Sequence, residues 1–261
     1  PDAHTPASPR SNNRTHRLEA PLNPHHSLYP SLPAYWVRPR HLAGDDDELA
    51  DRVSDGLMEA SWSTWTTARS TLLHMSPRGL AGAEWVRGSH DFLLGDLQVA
   101  WYVSARQHPA SAMMEWTACF TTGTPPEAIA DFLLAIEART DPAVNYDDHT
   151  LVLDTLCAHG WARDIDTPDT RAWDPGMSAG FAWAELPTMI RDGDPRPGLS
   201  GWQAWAEPVI GDPYQWTAVF SASVPHDLVA AFAASLAAPT PVLRRTLPEN
   251  AADRLFVTPA P

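Results

Sequence analysis

The middle of this chain is written twice, and that constrains it more than any other feature. Pro125, Ile129, Phe132 and Ile136 recur 100 positions later as Pro225, Val229, Phe232 and Leu236, and Trp116-Thr-Ala-Cys-Phe120 recurs as Trp216-Thr-Ala-Val-Phe220. Upstream, Ser76-Pro77 answers to Asp174-Pro175, Trp85 to Trp183, Trp101 to Trp205, and Leu57 with Trp62 to Leu156 with Trp161, at offsets between 98 and 104. Four tryptophan pairs kept in order are not coincidence, so two copies of one module are expected, over residues 35–140 and 141–238. A chain of 261 residues is long enough to give each copy a core.

Within a copy the periodicity changes. Leu49, Val53 and Leu57 are spaced four apart over 46–59, and Leu156 and Cys157 follow Leu153 by three and four over 149–159, with Gly160 placed to end the second run. Both predict amphipathic helices. Residues 62–66, 72–75, 83–86, 97–104 and 115–122 are rich in Trp, Thr and Val and predict strands. Pro125 with Glu127, and Pro225 with Asp227, open a second helix in each copy, Thr124 standing as a candidate cap. The expected fold class is α+β: tandem duplicated modules, each a helix, four to five antiparallel strands and a helix.

The ends differ from the middle. Residues 1–34 hold prolines at 1, 6, 9, 21, 24, 30 and 33 and no apolar period, so a disordered Pro-rich tail is expected. Residues 239–261 are proline-punctuated again, a second tail or an extended strap. All 18 basic residues are arginine. A chain without lysine excludes Walker A phosphate binding, pyridoxal chemistry and Schiff-base aldol chemistry. With its abundant Ala, Arg and Pro it also points to a GC-rich bacterial genome. Residues 41–150 carry 6 Arg against 17 acids and 151–238 carry 4 against 11, whereas 1–40 carry 5 Arg against 2 acids. So acidic a body repels a phosphate backbone, which disfavours a DNA-groove reader. Only the arm, with Arg10, Arg14 and Arg17, supports a nucleic-acid alternative. No apolar run reaches the ~18 residues a membrane span needs. Two cysteines without CxxC spacing suggest a reduced, cytoplasmic setting.

The ordered set Tyr35-Trp-Val-Arg-Pro-Arg-His-Leu-Ala-Gly44, Leu57 to Trp62, Ser76-Pro77-Arg-Gly79, Trp101, Trp116-Thr-Ala-Cys-Phe120 and Thr124-Pro-Pro-Glu127 resembles the SPDY domain family. These are uncharacterised Streptomyces proteins that usually carry two copies of the domain. The resemblance covers roughly residues 35–238 and implies a high-GC actinobacterial host. Copy two departs from the pattern, with Asp174-Pro175 for Ser-Pro and Val224-Pro-His226 for Thr-Pro-Pro. A family without assigned activity transfers no functional residue.

No residue is assigned a catalytic, cofactor-binding or metal-ligating role. Ser89-His90-Asp91 are chain neighbours, and adjacent strand residues point to opposite faces, so they cannot act in series as a triad. Asp147-Asp148-His149 and Asp45-Asp-Asp-Glu48 stand where acids ordinarily begin helices. Cys119 and Cys157 fit small buried apolar positions. His74 aligns with Ala172, so no histidine base is repeated in both copies. The tryptophans remain. Trp36, Trp65, Trp173 and Trp202 lack counterparts at the repeat offset, and Trp65, Trp173 and Trp202 are the candidate partner-binding anchors. The expected function is a non-catalytic interaction platform for another macromolecule, a protein partner. The alternatives are a nucleic-acid-associated protein using the basic arm, and a hydrolase of unrecognised type.

Overall fold

The computed structural model describes residues 33–45, 47–86, 92–184 and 200–261, and of 47–50 only the backbone. Strand β1 (Tyr35–Arg38) and a 3-10 turn (Arg40–Leu42) precede helix α1 (Asp47–Glu59). Then come β2 (Ser63–Thr66), β3 (Leu72–Met75), β4 (Ala81–Trp85), β5 (Leu93–Leu94), β6 (Leu97–Ala105), β7 (Trp116–Thr121) and α2 (Pro126–Ala138). The second half runs α3 (Thr150–Ala158), β8 (Ala162–Arg163), β9 (Arg171–Trp173), β10 (Ala179–Ala184), β11 (Gly201–Ala206), β12 (Trp216–Ser221) and α4 (His226–Ala237). The chain closes with β13 (Val242–Arg244), a 3-10 segment (Glu249–Arg254) and β14 (Phe256–Pro259). The fold is α+β. Thr124 caps nothing: Pro125 occupies the cap position of α2 and makes no side-chain bond there.

The main sheet is antiparallel, in the order β2-β3-β4-β6-β7-β12-β11-β10-β9-β8, with β5 beside β6. That order is a palindrome of the two halves, with β7 and β12 at the centre. Their register pairs Ala118 with Phe220, Cys119 with Val219 and Phe120 with Ala218. Subtracting 100 from one side leaves the same pairing, centred on Cys119 and Val219. The bonds across the seam repeat the symmetry: the Thr117 N–H donates to Ser221 Oγ at 3.0 Å and the Thr217 N–H to Thr121 Oγ1 at 2.8 Å.

Strand alternation sorts the side chains to two faces. Ala83, Trp85, Trp101, Val103, Trp116, Ala118 and Phe120, with Phe181, Trp202, Trp216 and Phe220, are buried in one core with Leu57, Ile129, Phe132, Val152, Leu156, Val229 and Phe232 from the four helices. At its centre Phe120 meets Phe232 at 5.3 Å and Phe220 meets Phe132 at 5.5 Å, so each half's strand packs on the other half's helix. Tilted rings at these distances add to the burial itself. The indole N–H of Trp116 donates to Pro142 O, and that of Trp216 to His41 O, both at 2.8 Å. Each module's strand thus holds the segment leading into the other module's first helix.

The strand register also corrects one repeat pairing. Trp101 faces Trp85 and Phe120, and Trp202 faces Trp183 and Phe220. The counterpart of Trp101 is therefore Trp202, not Trp205.

Residues 239–261 form a strap. β13 and β14 flank β1 in a three-stranded antiparallel sheet. Arg244 within it is fully buried. Its guanidinium meets both oxygens of Glu127 at 2.7 and 2.8 Å and donates to the carbonyls of Ala43 and Gly44. The bidentate geometry and complete hydrogen bonding are what a buried charge requires.

Candidate functional site: an open sheet face and a pocket beside it

The helices cover one face of the sheet. On the other, Trp65 opposes Leu73, Tyr102 opposes Cys119 and Glu84, and Trp173 opposes Gly180, which in turn opposes Trp205. These positions alternate with the core residues, and Trp65 is 51% exposed. Trp173 and Trp205 pack edge to face at 5.3 Å across Gly180. A Cβ at 180 would stand 2.6 Å from the Trp205 ring, so glycine is what lets the two indoles meet there. The Trp173 indole N–H donates to Asp164 Oδ2 at 2.7 Å and holds that carboxyl down at about 2.

The three proposed anchors are therefore not equivalent. Trp65 lies exposed at one end of the sheet face and Trp173, half-buried, towards the other. Trp202 is at 0% exposure in the core, its indole N–H donating to His226 Nδ1 at 3.1 Å, so it presents nothing to a partner. Trp36, 41% exposed, belongs to the small sheet on β1. Arg10, Arg14, Arg17 and Ser89-His90-Asp91 lie outside the described residues, as do Asp46 and the side chains of Asp47 and Glu48.

The remaining candidates resolve locally. Asp148 Oδ1 accepts the Thr150 N–H at 3.0 Å at the start of α3, and His149 Nδ1 stands 3.0 Å from the same oxygen. His74, fully buried, joins Ser54 Oγ (3.1 Å) and Thr64 Oγ1 (2.9 Å) through its two ring nitrogens. The Ser–His pair has the spacing of a nucleophile and base, but both are shut inside the core. Burial pulls the His74 pKa below its usual range, and burial followed by the nearby His149 does the same to His226. Burial also pushes the Cys119 thiol up to about 11, so it is no thiolate. Both cysteines are free. Among the described residues no group of three His, Cys, Asp or Glu is placed to hold a metal ion, and no helix is long and apolar enough to cross a membrane.

Sequence reasoning missed a pocket of about 400 Å3 between the β9–β10 turn, the end of α4 and the C-terminal strap. Its buried residues include His41, Trp161, Asp174 and Leu236; Arg38, Arg254 and Phe256 line it as exposed residues. Asp174 is saturated. Its oxygens accept the N–H groups of Gly176, Ser178 and Ala179 at 2.8, 2.5 and 2.6 Å and the Ser178 hydroxyl at 3.2 Å. Burial pushes its carboxyl up, but the His41 ring and these backbone donors outweigh that and bring it down to about 2. His41 Nε2, 3.5 Å from Asp174 Oδ2, is buried without a hydrogen bond.

The first half has the same turn, but there a side chain spans the space. Ser76 N–H to Ala81 O and Gly79 N–H to Ser76 O recur as Asp174 N–H to Ala179 O and Met177 N–H to Asp174 O. At that offset Gly176 replaces Arg78. The Arg78 guanidinium bridges to the end of α2, donating to Arg139 O at 2.6 Å and Thr140 O at 2.5 Å. With glycine in its place, the corresponding space beside the end of α4 stays open.

Comparison with known proteins agrees with the doubling. The SPDY model, a domain of unknown function (DUF317), matches residues 75–143 and 186–242. The two matched regions are consistent with a two-copy arrangement of the SPDY domain. No curated protein and no solved structure matches it.

Proposed function

We infer that the protein is a non-catalytic interaction platform, and that the uncovered sheet face is where a protein partner docks. One observation carries this reading: two halves paired edge to edge give a single ten-strand surface with Trp65, Tyr102, Trp173 and Trp205 on the side away from the helices. Trp65, Tyr102 and Trp173 keep partial exposure while Trp205 is buried, and exposed indole and phenol rings are the residues that most often anchor protein interfaces. The net charge of −14 favours a protein over a nucleic acid as partner. The domain boundaries 35–140 and 141–238 belong to the same proposal, each module supplying half of the face.

A photo-reactive amino acid at position 65, expressed in the full chain in its native host, should cross-link a discrete partner, and one at the exposed position 159 on another surface should not. Trp65→Ala should weaken capture of that partner roughly thirtyfold, the equivalent of about 2 kcal/mol for an interface tryptophan. Equal cross-linking from both positions, or unchanged capture by the variant, would remove the sheet face as the docking surface.

A further inference from the structure

We propose that the pocket beside Gly176 binds a small organic anion, an apolar carboxylate whose body lies against Trp161 and Leu236 and whose charge meets Arg38 and Arg254. This site is separate from the sheet face and does not depend on it. Its volume of about 400 Å3 is that of a small-molecule site. The polar groups around it differ in how far they are spent. Asp174 carries four hydrogen bonds from its own turn, so it has little left to offer a cation. The Arg38 guanidinium makes no hydrogen bond among the described residues and lies 5.2 Å over the Phe256 ring. Arg254 uses one nitrogen, Nη1, on Gly176 O at 2.9 Å, and its other donors remain. In the first half, by contrast, both terminal nitrogens of Arg78 are consumed by carbonyls.

The C-terminal ends of α3 and α4 reach the pocket, and helix ends of that sign disfavour an anion close by. At each end a carbonyl is already engaged twice. Ser235 O accepts Arg40 Nη1 and the Ala238 N–H, and Leu156 O accepts the N–H groups of His159 and Trp161. The ligand's charge therefore belongs at the exposed arginines, with the apolar part towards the helix ends. His41 Nε2 stays beside Asp174 Oδ2, 3.5 Å away, and offers the ligand nothing.

Titration calorimetry of the full chain with 2-naphthoate, 2-naphthamide and 2-naphthylmethylammonium separates charge from shape. The carboxylate should bind at least about tenfold more tightly than the amide, the advantage of a charge-assisted hydrogen bond. Arg38→Gln with Arg254→Gln, both at exposed positions, should bring the carboxylate to the amide's level while the melting temperature stays put; the single variants should each remove part of the preference. The proposal fails if the ammonium or the amide binds as well as the carboxylate, if no probe binds at millimolar concentration, or if the double variant keeps the preference.

Discussion

The first half of the molecule closes the space between its β3–β4 turn and the end of its second helix with the arm of Arg78, and the second half, with Gly176 there, leaves it open. The backbone hydrogen bonds that close the turn are the same on both sides, although Asp174 binds its turn with more side-chain bonds than Ser76 does. The buried interiors diverge too. His74 tethers α1 to the sheet through Ser54 in the first half, where the second has Ala172; the second half instead joins Trp202 to His226 at the start of α4. What a duplicated module keeps is the register and the aromatic centre. Side chains that bridge secondary elements are free to change.

The largest effects should come from what the halves share. Trp116→Ala and Trp216→Ala each remove a buried indole and the bond to the other module's leading segment. Each should cost about 3 to 5 kcal/mol, read from denaturant midpoints. A twofold difference between them would break the equivalence of the halves. Glu127→Ala leaves the fully buried Arg244 charge without its partner, and should cost about 3 kcal/mol although Glu127 itself is partly exposed. A loss below 1 kcal/mol would show that the strap detaches rather than suffers.

Acid sharpens the contrast further. His74 and His226 have folded-state pKa values below the ordinary 6.5, lowered first of all by burial. The unfolded chain therefore takes up protons first, and the stability these groups contribute is complete above pH 6.5 and lost as the pH falls through their folded values. Each adds up to about 1.4 kcal/mol per pH unit of slope, well before the lowered carboxylates Asp164 and Asp174 begin to titrate below 3.8. Melting temperatures between pH 8 and pH 4.5 should fall, and His74→Ala, which copies the second half, should flatten part of that fall. A pH-independent melting temperature in this range would contradict the burial of both rings. The smallest effect belongs to Arg78→Gly, which copies Gly176. It should cost only about 1 kcal/mol for two exposed hydrogen bonds, read from denaturant midpoints, and it should add no second naphthoate equivalent, because the strap that carries Arg254 and pairs with Arg38 occurs once.

The duplication and the α+β class were legible because helix and strand periods repeat with their tryptophans. The Trp101 pairing was not. Ala100-Trp101 resembles Ala204-Trp205, but β6 has a register irregularity between Val99 and Trp101, and only the cross-strand partners show which indole takes which place. Trp202 looked like a surplus residue for that reason alone. Residues 239–261 stayed open between a second tail and an extended strap because they lack a run long enough to show a period, their strands being three and four residues long. The pocket was invisible because it is assembled from five separated stretches, and its one local sign, glycine where the first copy has arginine, is meaningless until the turn is seen facing a helix end.

The pairing of Cys119 with Val219 at the middle of the seam has a consequence for assembly as a chemical equilibrium. A register that maps onto itself is one that two identical free modules could also adopt, and two free modules would stay together only at concentrations above their dissociation constant. The short segment between α2 and α3 replaces that second-order encounter by an intramolecular one, at an effective concentration on the order of millimolar for a short link. Dilution then no longer separates the halves. Because each half now meets a fixed neighbour rather than a copy of itself, a change such as Arg78 to Gly176 appears once instead of twice.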